Sequence, residues 1–244
     1  GRGSNLQAIL DAIDTGRLDA NVVGVLSDKP DAPALGLARA AGIDDRPVGV
    51  GEQLLDLDVE VLLDWIAEQP WSDGRVGMFG GSYNSFAQWA ALKHRPKALR
   101  AIATSASAAP GIDIPMEGGI FLNFMYPWPL YTASSRWLDD ARYDDAARWA
   151  KLDRTGYASG RAYRDRAAID GAANPVFATW LRHPDYDAYW QAMIPQGGEF
   201  AGIDIPVLAT TGYFDGAQAG VLHYFREHLR HRPAADHTLV IGPF

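Results

Sequence analysis

Residues 75–105, RVGMFGGSYNSFAQWAALKHRPKALRAIATS, leave little freedom of topology. RVGMF (75–79) is a short apolar run that ends in Gly80-Gly81-Ser82, the stretch from about 83 to 94 reads as a helix, and LRAIATS (99–105) is a second apolar run. Two strands joined by a helix return the chain to the same end of a sheet, so they pair in parallel. Ser82 then stands at a corner where a strand stops and a helix begins.

A Gly-x-Ser turn in that position forces the serine into a strained backbone conformation and lifts its hydroxyl above the sheet edge. Flanking glycines remove Cβ atoms that would clash between strand and helix. The helix N-terminus supplies orphan N–H donors and a positive dipole end, both suited to a developing oxyanion. In this reading Ser82 is a nucleophile and the backbone N–H of Tyr83 is one oxyanion donor. The three residues alone serve equally well as a plain helix start with Ser82 as N-cap; the strand–corner–helix–strand order favours the nucleophile.

Composition narrows the class. The 244 residues carry a formal charge of −8 and a pI near 5.2 without a dense Lys/Arg stretch, which argues against a general nucleic-acid binder. No apolar run approaches the roughly 20 residues of a membrane span. With no cysteine, disulfides, thiol catalysis and Cys-ligated zinc are excluded. A cytoplasmic protein acting on a small molecule, with no metal and no cofactor, is expected; nothing in the sequence sets the oligomeric state. The start at Gly1 rather than Met is expected to be a cut end.

Along the chain, residues 4–15 have helical spacing of Leu6, Ile9, Leu10 and Ile13, VVGVL (22–26) reads as a buried strand, and 33–41 as an Ala-rich helix ended by Gly42. Residues 44–57, with Pro47, Gly49 and Gly51, form a candidate junction, followed by the amphipathic helix DVEVLLDWIAEQ (58–69). From about 110 to 200 strand signals vanish and aromatic residues crowd onto helical stretches near 136–150, 159–168 and 185–194, which predicts a helical cap. PVLATTG (206–212) and TLVIG (238–242) return as buried strands around a helix near 217–229.

The segment DWIAEQPWSDGRVGMFGGSYNSFAQWAALKHRP resembles the serine hydrolases grouped as X-Pro dipeptidyl peptidases, cocaine esterase and α-amino acid ester hydrolases (CocE/NonD type). Their pattern runs W-S-D/N-G, a strand, then G-x-S-Y-x-G. Gly80, Ser82 and Tyr83 match it, while Ser85 stands where the family usually has glycine, a departure expected to crowd the helix start. WLRHPDYDAYW (180–190) and IPVLATTGYFDGAQAG (205–220) match the same family, so the likeness covers about 57–244. It implies an α/β-hydrolase fold with an inserted helical cap, partial here because the first strands, with a tyrosine that is the second oxyanion donor, are not among these residues. It also implies an acyl-enzyme on Ser82.

Asp215 follows the strand ending in Thr211-Gly212, on a loop where hydrolases of this fold place the triad acid. By position alone it reads equally as a turn aspartate before Gly216; the resemblance makes it the acid, and Asp204 lies at the wrong end of its strand. Of the six histidines, His94 reads as a helix C-terminal cation and His183 lies in the cap. His223, His228 and His231 read as a mostly charged helix face, and His237 precedes the last strand at its wrong end. In the resembled family the base follows I-G-P-aromatic by one spacer residue, and here LVIGPF reaches Phe244. The base is therefore expected beyond Phe244, and residues 1–244 alone are expected to be weakly active or inactive. Trp128, Trp137, Trp149, Trp180 and Trp190 read equally as cap core or as walls of an acyl pocket.

GRGSNLQAILDAIDTGRLDANVVGVLSDKPDAPALGLARAAGI (1–43) instead resembles the N-terminus of phosphoribosylglycinamide formyltransferase. There G-x-G-S-N opens a helix that holds a substrate phosphate, which maps to Gly1, Gly3, Ser4 and Asn5. The likeness implies a half-Rossmann fragment without that family's catalytic segment. The expected whole is an α/β chain: a half-Rossmann piece (1–43), a junction (44–57) and a partial α/β-hydrolase domain (58–244) with its cap at about 110–200, joined as a chimera. The implied activity is serine hydrolysis of esters or amides. The alternatives are a ribose-phosphate-binding formyltransferase fragment and a non-catalytic one.

Overall fold

The computed structural model describes residues 4–27, 31–47, 59–133 and 139–243. The chain divides into two compact units, Gly1–Arg75 and Val76–Phe244.

In the first unit, helix α1 (Ser4–Asp14) precedes strand β1 (Val25–Ser27), helix α2 (Pro33–Ala40), strand β2 (Asp45–Pro47) and helix α3 (Val59–Glu68). Strands β1 and β2 pair in parallel, Val25 opposite Asp45, with α2 as the crossover. Pro33 pre-sets the first turn of α2, and Leu35 and Ala38 are its buried face. Gly1 and Gly3 of the predicted phosphate loop, and 48–57 of the candidate junction, lie outside the described residues, while Ser4 and Asn5 open α1.

The second unit is built on four parallel strands in the order β3 (Val76–Gly81), β4 (Leu99–Ser105), β7 (Val207–Gly212), β8 (His237–Gly242). Helix α4 (Tyr83–His94) crosses from β3 to β4, and α11 (Gln218–His231) crosses from β7 to β8. One face of the sheet is buried. There Ile102, Val207 and Ala209 lie near-fully buried with Trp89 from α4 and Val221 and Tyr224 from α11, and the Trp89 ring stacks on Tyr224 at 4.4 Å and 4°. The other face carries the exposed Phe79, Leu208 and Val240.

The cap leaves the sheet after β4. It contains a short antiparallel hairpin, β5 (Met116–Glu117) and β6 (Ile120–Phe121), followed by α5 (Pro127–Thr132), α6 (Asp140–Tyr143), α7 (Ala146–Ser159), α8 (Arg166–Asp170), α9 (Pro175–Trp180) and α10 (Ala188–Gln191). The expectation of a strand-free cap is corrected by that hairpin, whose two-residue strands are too short to show a period in the sequence. Tyr126, Leu130, Leu152 and Phe177 form the cap core, and Trp149 and Trp180 pack against it. Asn174 caps α9 by accepting from the Phe177 N–H at 3.1 Å and donates to the Tyr126 carbonyl at 2.9 Å. No helix among the described residues is long and apolar enough to cross a membrane.

Candidate active site

The corner between β3 and α4 has the strain that its glycines suggest. Ser82 sits at φ 58°, ψ −119°, a region an L-residue occupies only where its surroundings hold it there. A Cβ on Gly80, whose φ is +146°, would lie 2.7 Å from Asn84 Cβ, and one on Gly81 would lie 2.7 Å from Ser105 Oγ. Gly80 therefore needs hydrogen where other residues carry carbon, and Gly81 needs it as long as the Ser105 hydroxyl stays in place. The Ser82 N–H donates to the Ser105 carbonyl at 2.9 Å, and the Ser82 carbonyl accepts from Ser85 and Phe86, which starts the helix. Ser82, Tyr83 and Asn84 are exposed, and Tyr83 is the first helical residue, whose N–H has no intrahelical acceptor.

Ser85 does not crowd this helix start, contrary to the sequence expectation. It is fully buried, with its hydroxyl 2.7 Å from the Gly80 carbonyl and accepting from the Ser105 N–H at 3.0 Å. Polar contacts take the place of the close approach that a glycine would permit.

Asp215 lies half-buried in the loop after β7. One carboxylate oxygen accepts from the Thr211 hydroxyl at 2.7 Å and the other from the Ala217 N–H at 2.9 Å. Gly81 pairs with Ser105 and Ser105 with Thr210, so β3 and β7 end at one level, two strands apart. At ~4.8 Å per strand their ends stand roughly 10 Å apart, a span that one imidazole and its hydrogen bonds can bridge. Behind this loop, the buried carboxylate of Asp113 accepts from the N–H groups of Ala109 and Gly220, each at 2.8 Å, and ties the start of α11 to the segment after β4. Burial pushes the Asp113 carboxyl up to about 6, against the lowering effect of those two bonds.

A cleft of about 650 Å³ joins the corner to the cap, lined by Ser82, Tyr83 and Asn84 on one side and Trp128, Tyr131 and Trp180 on the other. Of the five cap tryptophans, Trp128 and Trp180 face this cleft, Trp149 packs on the cap core, Trp190 is buried, and Trp137 lies outside the described residues. A separate cavity of about 550 Å³ within the cap is lined by Asp153, Tyr157, Tyr163 and Arg166, with no serine or threonine in its lining.

None of the six histidines stands in the loops that follow β3, β7 or β8. His94 ends α4, and His183 meets Asp187 at 2.6 Å in the cap. His223, half-buried on α11, has its pKa lowered by desolvation. His228 is corrected from a charged-face residue to a fully buried one. Its Nδ1 lies 3.1 Å from Nδ1 of His237 and its Nε2 3.1 Å from the Ile203 carbonyl. A donor is needed toward that carbonyl, so His228 carries its proton on Nε2 and accepts from His237. Burial, with the neighbouring His228, pushes His237 down to about 3. Sequence reasoning also missed Ala106, which follows β4 at φ 46° beside the corner. An alanine carries no mark of such a conformation.

With a strained, exposed serine between a parallel strand and a helix, the comparisons with known proteins become decisive. The profile of the X-Pro dipeptidyl-peptidase (S15 family) matches residues 52–244. The chain belongs to this family. It is 32% identical over 203 residues to the cocaine esterase of Rhodococcus sp. (strain MB1 Bresler), covering 78% of this chain and 34% of that protein. Its fold is similar to that of an aminopeptidase from the marine sediment archaeon Thaumarchaeota archaeon, with a TM-score of 0.58 at 22% identity over 82% of this chain and 33% of that one. It is also similar to a CocE/NonD family hydrolase from Staphylococcus aureus, with a TM-score of 0.50 at 19% identity over 76% and 27%. The second unit is thus a partial α/β-hydrolase fold, and the chain spans about a third of the length of these relatives. The family match leaves residues 1–51 outside it.

Proposed function

We propose that the chain carries the nucleophile and acid of a serine hydrolase that cleaves esters or amides. The Ser82 hydroxyl attacks the acyl carbon while its proton passes to an imidazole, and the Tyr83 N–H holds the oxyanion. The imidazolium then gives that proton to the departing alcohol or amine, leaving an acyl-enzyme on Ser82. Water repeats the cycle and releases the acid. Asp215 holds the imidazole in one tautomer and stabilises its cation. None of the six histidines in residues 1–244 stands beside the Asp215 loop; Gly212 pairs with Gly242, so the end of β8 is the place from which an imidazole would reach that loop. One observation carries the reading: Ser82 at φ 58°, ψ −119°, exposed in a cleft shared with Trp128, Tyr131 and Trp180. The similarity to an esterase and to an aminopeptidase supports both ester and amide substrates.

The test is covalent labelling of the full-length gene product with a fluorophosphonate, followed by peptide mapping. Label is expected on Ser82, and Ser82→Ala should remove it and lower p-nitrophenyl ester turnover by about 10⁶. With no histidine in the loops after β3, β7 or β8, residues 1–244 on their own are expected to turn over esters about 10⁶-fold slower than a complete Ser–His–Asp unit. Label on another serine would overturn the reading.

For residues 1–43 the transformylase likeness suggests a phosphate site at the start of α1, supported by the absence of acidic residues from its first turn. Ribose 5-phosphate titrated against the protein should perturb the amide signals of Ser4 and Asn5 if that piece retains its ancestral ligand. A joined, two-piece origin stays with this second reading.

A further inference from the structure

We propose that Ser85 is a positioning residue for the nucleophile: its buried hydroxyl bolts the first turn of α4 to the ends of β3 and β4 and keeps Ser82 in its strained conformation. The proposal rests on Ser82 being the nucleophile.

A residue at φ 58°, ψ −119° relaxes unless both flanks are held. The flank before Ser82 is Gly80-Gly81, and the flank after it is the first turn of α4. Ser85 reaches both. Its Oγ lies 2.7 Å from the Gly80 carbonyl and 3.0 Å from the Ser105 carbonyl, and it accepts from the Ser105 N–H at 3.0 Å. A hydroxyl has one proton and two lone pairs, so it donates to one carbonyl while accepting from the N–H. In a parallel ladder a residue bonds to the two neighbours of its register partner. Gly81 partners Ser105, so the rungs at this end join Ser105 to Gly80 and to Ser82. The second rung is present, Ser82 N–H to Ser105 carbonyl at 2.9 Å. At the first rung the Ser85 hydroxyl sits beside both groups, which ties the last bond of the ladder to the helix. The only other side chain from α4 on the Gly80 carbonyl among the described bonds is Gln88, at 3.3 Å. Ser85 is 0% exposed, so solvent does not share its place.

Without the hydroxyl the Gly80 carbonyl and the Ser105 N–H lose this link to the first turn of α4, which leaves the flank before Ser82 less firmly tied to the flank after it and lets the corner relax.

The experiment uses full-length protein carrying Ser85→Ala, Ser85→Gly or Ser82→Ala. The readouts are kcat and KM on a p-nitrophenyl ester per titrated site, the rate of phosphonylation, and thermal melting. Both Ser85 variants should lose roughly 10- to 100-fold in kcat and in phosphonylation rate, with KM within about twofold. Should Ser85→Ala not fold, Ser85→Gly, the residue usual in the family pattern, carries the test without steric load. A kcat per site equal to wild type in either folded variant, whatever its melting temperature, overturns the positioning role. If Ser82→Ala keeps both turnover and label, the nucleophile assignment itself fails and takes the proposal with it. A silent Ser82→Ala beside fully active Ser85 variants sinks the positioning role alone.

Discussion

The two ends of the four-stranded sheet treat polar side chains in opposite ways. At the carboxyl ends, Ser82 is exposed, Asp215 is half-buried and held by two short hydrogen bonds, and two non-glycine residues, Ser82 and Ala106, have positive φ. At the amino ends of β7 and β8, His228 and His237 are enclosed against Trp89, and burial strips both of readiness to take a proton. One end holds conformational strain and leaves its polar groups within reach of solvent; the other uses its polar residues as packing. A titratable residue is therefore not a catalytic candidate by type alone. Its place along the strand decides.

That contrast breaks first at Asp215. Asp215→Asn in the full-length protein should lower kcat by about 10⁴, because the amide no longer favours the correct imidazole tautomer. Steady-state ester hydrolysis measures it, and a loss under tenfold would return Asp215 to an ordinary turn residue. The opposite end should respond in stability and not in chemistry. Trp89→Ala removes the ring stacked on Tyr224 and should cost about 3–5 kcal/mol in urea unfolding, with kcat of the remaining folded protein little changed.

The smallest effect is in pH dependence. His237 titrates near 3 in the folded state against an ordinary value of about 6.5, so the unfolded chain binds more protons between those limits. Its contribution to stability is complete above about pH 6.5 and is lost as pH falls toward 3. Asp113 has the opposite sign: its carboxyl is raised to about 6, so its contribution is complete below about pH 3.9 and is lost as pH rises through 6. Stability measured across this range should show a shallower acid-side decline in His237→Phe, whereas Asp113→Asn should steepen that decline below pH 6. Parallel profiles for wild type and His237→Phe would show that the pair is solvated in solution.

The sequence was most legible where stop signals are sharp. Helix α4 and strand β4 fall at the residues that the pattern predicts, 83–94 and 99–105, because glycine pairs and Arg95-Pro96 punctuate them. It was least legible where a polar side chain is buried by a distant partner. His228 reads as one more charged residue on α11, and only the carbonyl of Ile203 and the ring of His237 explain its burial. Ser85 likewise reads as a misfit to a family pattern until the Ser105 N–H is seen beside it. The serine corner follows from local chemistry, whereas the closing of its hydrogen bonds depends on a strand twenty residues away.

The crowding at Gly80 and Gly81 also governs how this corner tolerates drift. A methyl at 81 meets the Ser105 hydroxyl, which a smaller residue at 105 would relieve, so a side chain at 81 is tolerated only after 105 has changed. At 80 the obstacle is Asn84 Cβ, an atom that every residue but glycine carries, and the backbone at φ +146° remains hostile even then. Tyr83 and Asn84 are exposed on the cleft, so a change there adds no atom to the crowded inside of the corner. Among Gly80, Gly81, Tyr83, Asn84 and Ser105, random substitution would thus meet one fixed point, one position that opens only after another has changed, and an exposed rim, a pattern of heritable variation set by two missing carbon atoms.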